Sequence, residues 1–211
     1  MTSILYYIHD PMCSWCYGFT PTWNKIQGNL PSTLKVEYVV GGLAPDSDVP
    51  MPQETQQMVK GAWHRIQDML GTEFNFSFWD KNTPRRATYP ACRAVLAART
   101  QKFEKQMITA IQHGYYLRAL NPSDDDILIQ LATELKNEQT EQAIDVDQFT
   151  LDLNSKETEQ ELARQISLSR RLSQRGFPSL VLEHNDALHF LEHDYQDPDV
   201  TLSRIDALLN L

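Results

Sequence analysis

The sequence predicts an α/β protein in which a four-stranded mixed sheet, flanked by helices, is interrupted by a large all-helical insertion. Three observations carry this. A short apolar run, Ile4 to Ile8, is followed by a helical stretch and a second run, Leu34 to Val40, the order of two parallel strands joined by a helix. Four helical patterns then follow without a strand signal of equal strength. Two more strands and a helix close the chain, and a mixed sheet with helices on its faces is the simplest packing of the outer pieces. The expected division is a discontinuous sheet domain, residues 1–50 and 171–211, around a helical insertion domain, residues 51–170.

Each element has a local reason. Residues 3–8 form a short apolar run suited to a buried strand. Thr20-Pro21 reads as a helix N-cap with proline in the first helical position, leading through Trp23 and Ile26 and closed by Gly28-Asn29 and Pro31. Leu34 to Val40 is a second strand, ended by Gly41-Gly42. Asp46 to Pro52 is a polar, proline-rich joint. A helix over about 53–70 places Met58, Ala62, Ile66 and Leu70 at four-residue spacing. Glu73 to Trp79 alternates and reads as a short extended segment. One helix is expected over about 89–113, with Val95, Phe103, Met107 and Ile111 on a stripe and Arg99 snorkelling from it. Ser123 is a good N-cap for the next, and Asp124, Asp125 and Asp126 fall where the helix dipole favours negative charge. The fourth covers about 157–175 and stops at Gly176. Ser179 to Leu182, a polar turn at Glu183 to Asp186, and Ala187 to Leu191 read as a hairpin. Asp197-Pro198 caps a last helix carrying Val200, Ile205, Leu208 and Leu209.

Bulk properties exclude several function classes. The 211 residues carry 28 acidic and 19 basic side chains, a net charge of −9, which argues against a basic nucleic-acid surface. No apolar run approaches the roughly 20 residues of a membrane span. Met1-Thr2-Ser3 runs straight into the first strand and leaves no room for a secretory signal, so the expected location is cytoplasmic. Thiols there stay reduced, and a close cysteine pair is more often catalytic or metal-binding than a structural staple.

That pair lies in His9-Asp10-Pro11-Met12-Cys13-Ser14-Trp15-Cys16-Tyr17-Gly18. Cys13 follows a strand and Pro11, where a helical turn can begin and its exposed N–H groups favour a thiolate. Cys16, three residues on, stacks over the same face. Such spacing lets one thiol attack a substrate disulfide and the other resolve the mixed disulfide. Trp15 offers an apolar surface beside the attacking sulfur, and His9 is near enough in sequence to tune it. Two other readings stay open: two core thiols, or a metal site completed by Cys92 and His9. A second motif is Gly176-Phe177-Pro178-Ser179, immediately before the hairpin. A cis X-Pro bond is the usual way to place proline at a tight turn into a strand. With the hairpin beside the first strand, Pro178 faces the cysteine pair, and the backbone of Phe177 is free to pair with an extended substrate. Trp15, Tyr17 and Phe177 form the expected apolar rim. Cys92 reads as core filling, and Arg170, Arg171 and Arg175 as a solvated helix end.

Together, "DPMCSWCYGF" after a first strand, the long helical insertion and "GFPSLVL" before a hairpin resemble the DsbA family of thioredoxin-fold proteins, closest to the FrnE-like cytosolic dithiol oxidoreductases. The resemblance covers nearly the whole chain. It implies a thioredoxin-like fold, with Cys13 as nucleophile, Cys16 as resolving thiol and Pro178 as the cis proline packed on them. It also implies thiol or disulfide substrates, protein or small molecule, and no resident cofactor, with glutathione as a conceivable co-substrate. The central Ser14-Trp15 departs from the proline-histidine of the periplasmic oxidant, so that protein's potential does not carry over. The second, C-terminal cysteine pair of several FrnE-like proteins is absent from this sequence. Two alternatives share the architecture. One is the glutathione-dependent chemistry of kappa-class transferases and 2-hydroxychromene-2-carboxylate isomerases, which place a serine near the first cysteine. The other is a non-catalytic binding or chaperone module.

Overall fold

The computed structural model describes residues 3–137, 141–173 and 176–209. The chain divides into two compact units, residues 1–41 with 165–211, and residues 42–164. The expected boundaries at 50/51 and 170/171 lie nine and six residues further along the chain than these.

The first unit holds strands β1 (Ile4–His9), β2 (Lys35–Val40), β3 (Ser179–His184) and β4 (Ala187–Leu191) in one sheet of order β2-β1-β3-β4. β1 and β2 are parallel, and the other pairs are antiparallel. The register sets Tyr7 beside Tyr38 and Leu180, and Ile8 beside Val39 and Ser179. Because side chains alternate along a strand, Tyr6, Ile8, Val39 and Val181 share one face. There they pack with Leu168, Leu172 and Phe177. Tyr7, His9 and Tyr38 lie on the other face, where Tyr7 stacks 4.4 Å from Trp23 of helix α1 (Ser14–Gly28). The β3–β4 turn puts Asn185 and Asp186 at φ 52° and 59°. This two-residue turn matches the right-handed twist of the strands, and it lets β3 run two residues past the expected Leu182.

Helix α1 begins earlier than Thr20-Pro21 suggests. Asp10 makes the reason local: its Oδ1 accepts from Met12 N at 2.8 Å, its carbonyl accepts from Cys13 N at 3.0 Å, and Tyr17 N then donates to Cys13 O at 3.0 Å. Pro21 therefore lies inside the helix, where it removes one ladder bond. Thr20 Oγ1 donates to Cys16 O at 3.1 Å one turn back.

In the helical unit, α2 (Gln53–Leu70) has the expected span. The alternating Glu73–Trp79 segment is not a strand. It passes into a single turn, α3 (Phe78–Lys81), and its Phe74, Phe76 and Phe78 surround the fully buried Trp63 at ring distances of 5.1, 5.8 and 5.9 Å. The single helix expected over 89–113 is two, α4 (Tyr89–Thr100) and α5 (Glu104–Tyr116). The break comes where Thr100 Oγ1 bonds back to Ala97 O and Lys102 takes φ 69°. Arg99 pairs with Glu104 there. α6 (Asp125–Thr133) begins after Asp124 rather than Ser123; the Asp124 carboxylate makes no capping bond but accepts from Arg85 and Asn121, and the Ser123 hydroxyl donates to Ala87 O at 2.7 Å. α7 (Val146–Leu153) was not anticipated. Its cap was legible, however, because Asp145 is a good N-cap residue and its Oδ1 accepts from Gln148 N.

Helix α8 (Lys156–Leu172) runs across the boundary between the units. In the sheet unit, its Gln165 Oε1 accepts from Val40 N at 3.0 Å. The chain closes with α9 (Asp199–Leu209), packed on α1, β3 and β4.

Candidate active site

The carboxyl ends of β1 and β2 and the amino end of β3 meet at one edge of the sheet, as their pairing requires. Three turns start there: Asp10 to Cys13 after β1, Gly41 after β2, and Gly176 to Pro178 before β3. Gly41 N donates to His9 O at 2.6 Å, which ties the first two together.

Cys13 is the N-cap residue of α1, with extended backbone (φ −80°, ψ 116°), and is 7% exposed. Its thiol donates to the carbonyl oxygen of Phe177 at 3.7 Å. Cys16 is 0% exposed, one turn into the helix. Burial pushes its thiol well above the usual cysteine range, and the hydrogen bond and charge of neighbouring Cys13 push it further. A backbone hydrogen bond from Asp10 acts in the opposite direction. Two phenols flank the pair. Tyr7 and Tyr195 are both raised, first by burial and then by the charges of the two cysteines, so both stay protonated near neutral pH.

The Phe177–Pro178 peptide bond is cis, and Pro178 is buried. The ring of Phe177 lies against Gly41 and the Ile8–Val39–Leu172–Val181 cluster, so its backbone carbonyl, not its ring, reaches the cysteine. Trp15 is half-buried with its ring 5.3 Å from Tyr195. Ser14 opens α1. His9 is fully buried, stacked 5.3 Å from Tyr7 and edge-on to Tyr38. Cys92 is fully buried in α4 of the helical unit. Arg170 and Arg171 are exposed on α8, and Arg175 lies outside the described residues.

Sequence reasoning missed three residues. Asp10 was legible as a turn former ahead of Pro11. His193 and Tyr195 were not, because only the fold carries the segment after β4 back to α1. Their rings lie 4.9 and 5.5 Å from Phe19. With Phe177 and Pro178 they line a cleft of about 650 Å³.

A thioredoxin-type sheet, with helices inserted after its second strand, carries Cys13 and Cys16 at the start of α1. The chain belongs to the thioredoxin family, whose model matches residues 6–195. Among solved structures it is similar to a proposed protein disulfide isomerase from Nitrosomonas europaea, 27% identical with a TM-score of 0.84, over 100% of this chain and 98% of that one. It shares its fold with the cytosolic disulfide reductase DsbM from Pseudomonas aeruginosa, 24% identical with a TM-score of 0.77 over 98% of each chain. DsbM has also been solved with GSH. A curated relative, the ClpXP adapter protein SpxH from Halalkalibacterium halodurans, is 21% identical over 183 residues, 84% of this chain. The match spans 57% of that adapter's own length.

Proposed function

We propose that the protein exchanges disulfides through Cys13 and Cys16, with Cys13 as nucleophile and Cys16 as resolving thiol. One observation carries the reading: the two thiols are unequal. Cys13 sits at the surface end of α1 and is slightly exposed, whereas Cys16 is sealed and held protonated by burial. A substrate sulfur therefore meets Cys13 first.

The steps balance. The Cys13 thiolate attacks one sulfur of a substrate disulfide, and the other leaves as thiolate and takes a proton. Cys16 gives up its proton and attacks the Cys13 sulfur. The second substrate sulfur is expelled, and a Cys13–Cys16 disulfide remains, the substrate having gained two electrons. The reverse sequence oxidises a dithiol. The Phe177 carbonyl, which accepts from the resting Cys13 thiol, holds the sulfur beside the cis proline turn. Trp15, Phe177 and Pro178 are the residues assigned to substrate binding, and Ser14 and His9 are those assigned to tuning the pair. The likeness to a reductase described as cytosolic supports a cytoplasmic role, and the sequence motifs alone suggest the FrnE-like subgroup.

The test is substitution of each cysteine. Cys13→Ser abolishes reduction of a model disulfide, and Cys16→Ser accumulates a mixed disulfide that mass spectrometry detects at Cys13. Full activity in Cys13→Ser protein sinks the assignment.

A further inference from the structure

The segment between β4 and α9 is clamped at both ends. Thr22 Oγ1 of α1 donates to Tyr195 O at 2.5 Å, and Thr201 Oγ1 of α9 donates to Glu192 O at 3.1 Å. Between them, Asp194 Oδ1 accepts from Gln196 N and Asp197 N at 2.7 and 2.9 Å. The clamp presses Tyr195 edge-on to Trp15 and His193 onto Phe19. The segment thus forms one wall of the 650 Å³ cleft, and Phe177, whose carbonyl meets the Cys13 thiol, forms the other.

The chemistry of this wall is one-sided. Phe190 and Val200 are both 42% exposed and give an apolar floor at the free edge of the sheet. Glu192 and Asp194 add two exposed carboxylates. Backbone hydrogen bonds hold the Asp194 carboxyl below its usual range, so it is ionised. Burial pulls His193 down, so its ring is neutral near pH 7 and does not offset them. Neither lysine nor arginine is among the described lining residues.

We propose that Glu192 and Asp194, on the wall of this cleft, select peptide disulfides flanked by cationic side chains over anionic disulfides. The inference rests on the dithiol reading above and adds no chemical step to it. Opposite charges drawn into a shared cleft raise both encounter rate and residence, and salt weakens both.

The experiment uses the reduced full-length protein in single-turnover mixing at low salt. The probes are three symmetric disulfide-linked pentapeptides whose cysteine is flanked by lysine, glutamine or glutamate, together with oxidised glutathione. Each rate is divided by that of dithiothreitol with the same probe, which removes intrinsic differences in disulfide reactivity. The lysine probe is expected to react about tenfold faster than the glutamate probe and oxidised glutathione. That ratio falls towards one in Glu192→Gln/Asp194→Asn protein and at roughly 0.5 M salt. Asparagine still accepts the two backbone bonds at 194, so the turn is retained. Equal normalised rates for all probes, or selectivity undiminished in the double variant, overturn the inference. Absence of exchange with every probe instead overturns the dithiol reading.

Discussion

Gly41→Ala tests the placement of Phe177 most directly. A Cβ on residue 41 falls inside the Phe177 ring, on its Cζ and both Cε atoms. The ring has little room to retreat, because it packs against Ile8, Val39, Leu172 and Val181, none more than 3% exposed. Forcing a methyl into such packing costs about 1–3 kcal/mol. Replacing glycine recovers about 0.4–1 kcal/mol through the less flexible unfolded chain. The net loss is about 1–2 kcal/mol, which for a chain of this size lowers the Tm by about 2–8 °C. The same shift moves the Phe177 carbonyl away from Cys13, so single-turnover disulfide exchange slows along with the loss of stability. Thermal melts followed by circular dichroism, and exchange rates for a model disulfide, measure the two effects. Phe177→Leu removes the far end of the ring. In the Gly41→Ala background it therefore restores stability, and the double-mutant cycle shows a coupling of about 1 kcal/mol or more. A Gly41→Ala protein that melts no lower than the parent, or two substitutions whose effects simply add, refutes the packing argument.

Two further outcomes follow from the same site. Cys16 and Tyr7 are raised in the folded protein, so above the ordinary cysteine range the unfolded chain binds fewer protons than the folded one. Stability is then fully present below about pH 8.5 and declines as pH rises further. Urea midpoints of the reduced protein should show this, and Cys16→Ala should flatten the decline; an equally steep curve in that variant refutes the buried-thiol origin. Thr22→Val removes the hydroxyl that holds the Tyr195 carbonyl, at a cost of about 1 kcal/mol. Amide hydrogen exchange over residues 192–198 should quicken, and unchanged protection there would show that the segment needs no clamp.

Much of the sheet was legible because its strands are short apolar runs bounded by glycine, proline and polar turns. β1 and the hairpin turn both follow from that pattern. The errors cluster where a local signal was overridden. Thr20-Pro21 has the form of a helix start, yet the Asp10 turn already starts α1 at Ser14, and a proline about two turns further on lies inside the helix. The Phe74, Phe76, Phe78 alternation has the form of a strand, but it is three rings closing around Trp63. The stripe through Val95 and Ile111 keeps helical spacing across a break that only Lys102's left-handed backbone reveals.

The same division holds at the candidate site. By itself the sequence determined that two thiols stand three residues apart after a buried strand, and that a proline precedes the hairpin, because spacing and backbone chemistry are local properties. Only the tertiary structure decided which thiol is sealed, since burial is a property of everything packed around a side chain. Only it decided that the Phe177 carbonyl, 164 positions away along the chain, accepts from Cys13. It alone brought His193, Tyr195 and two carboxylates to the cleft, because strand pairing and the docking of α9, not sequence proximity, carry the last turn of the chain back to the first helix.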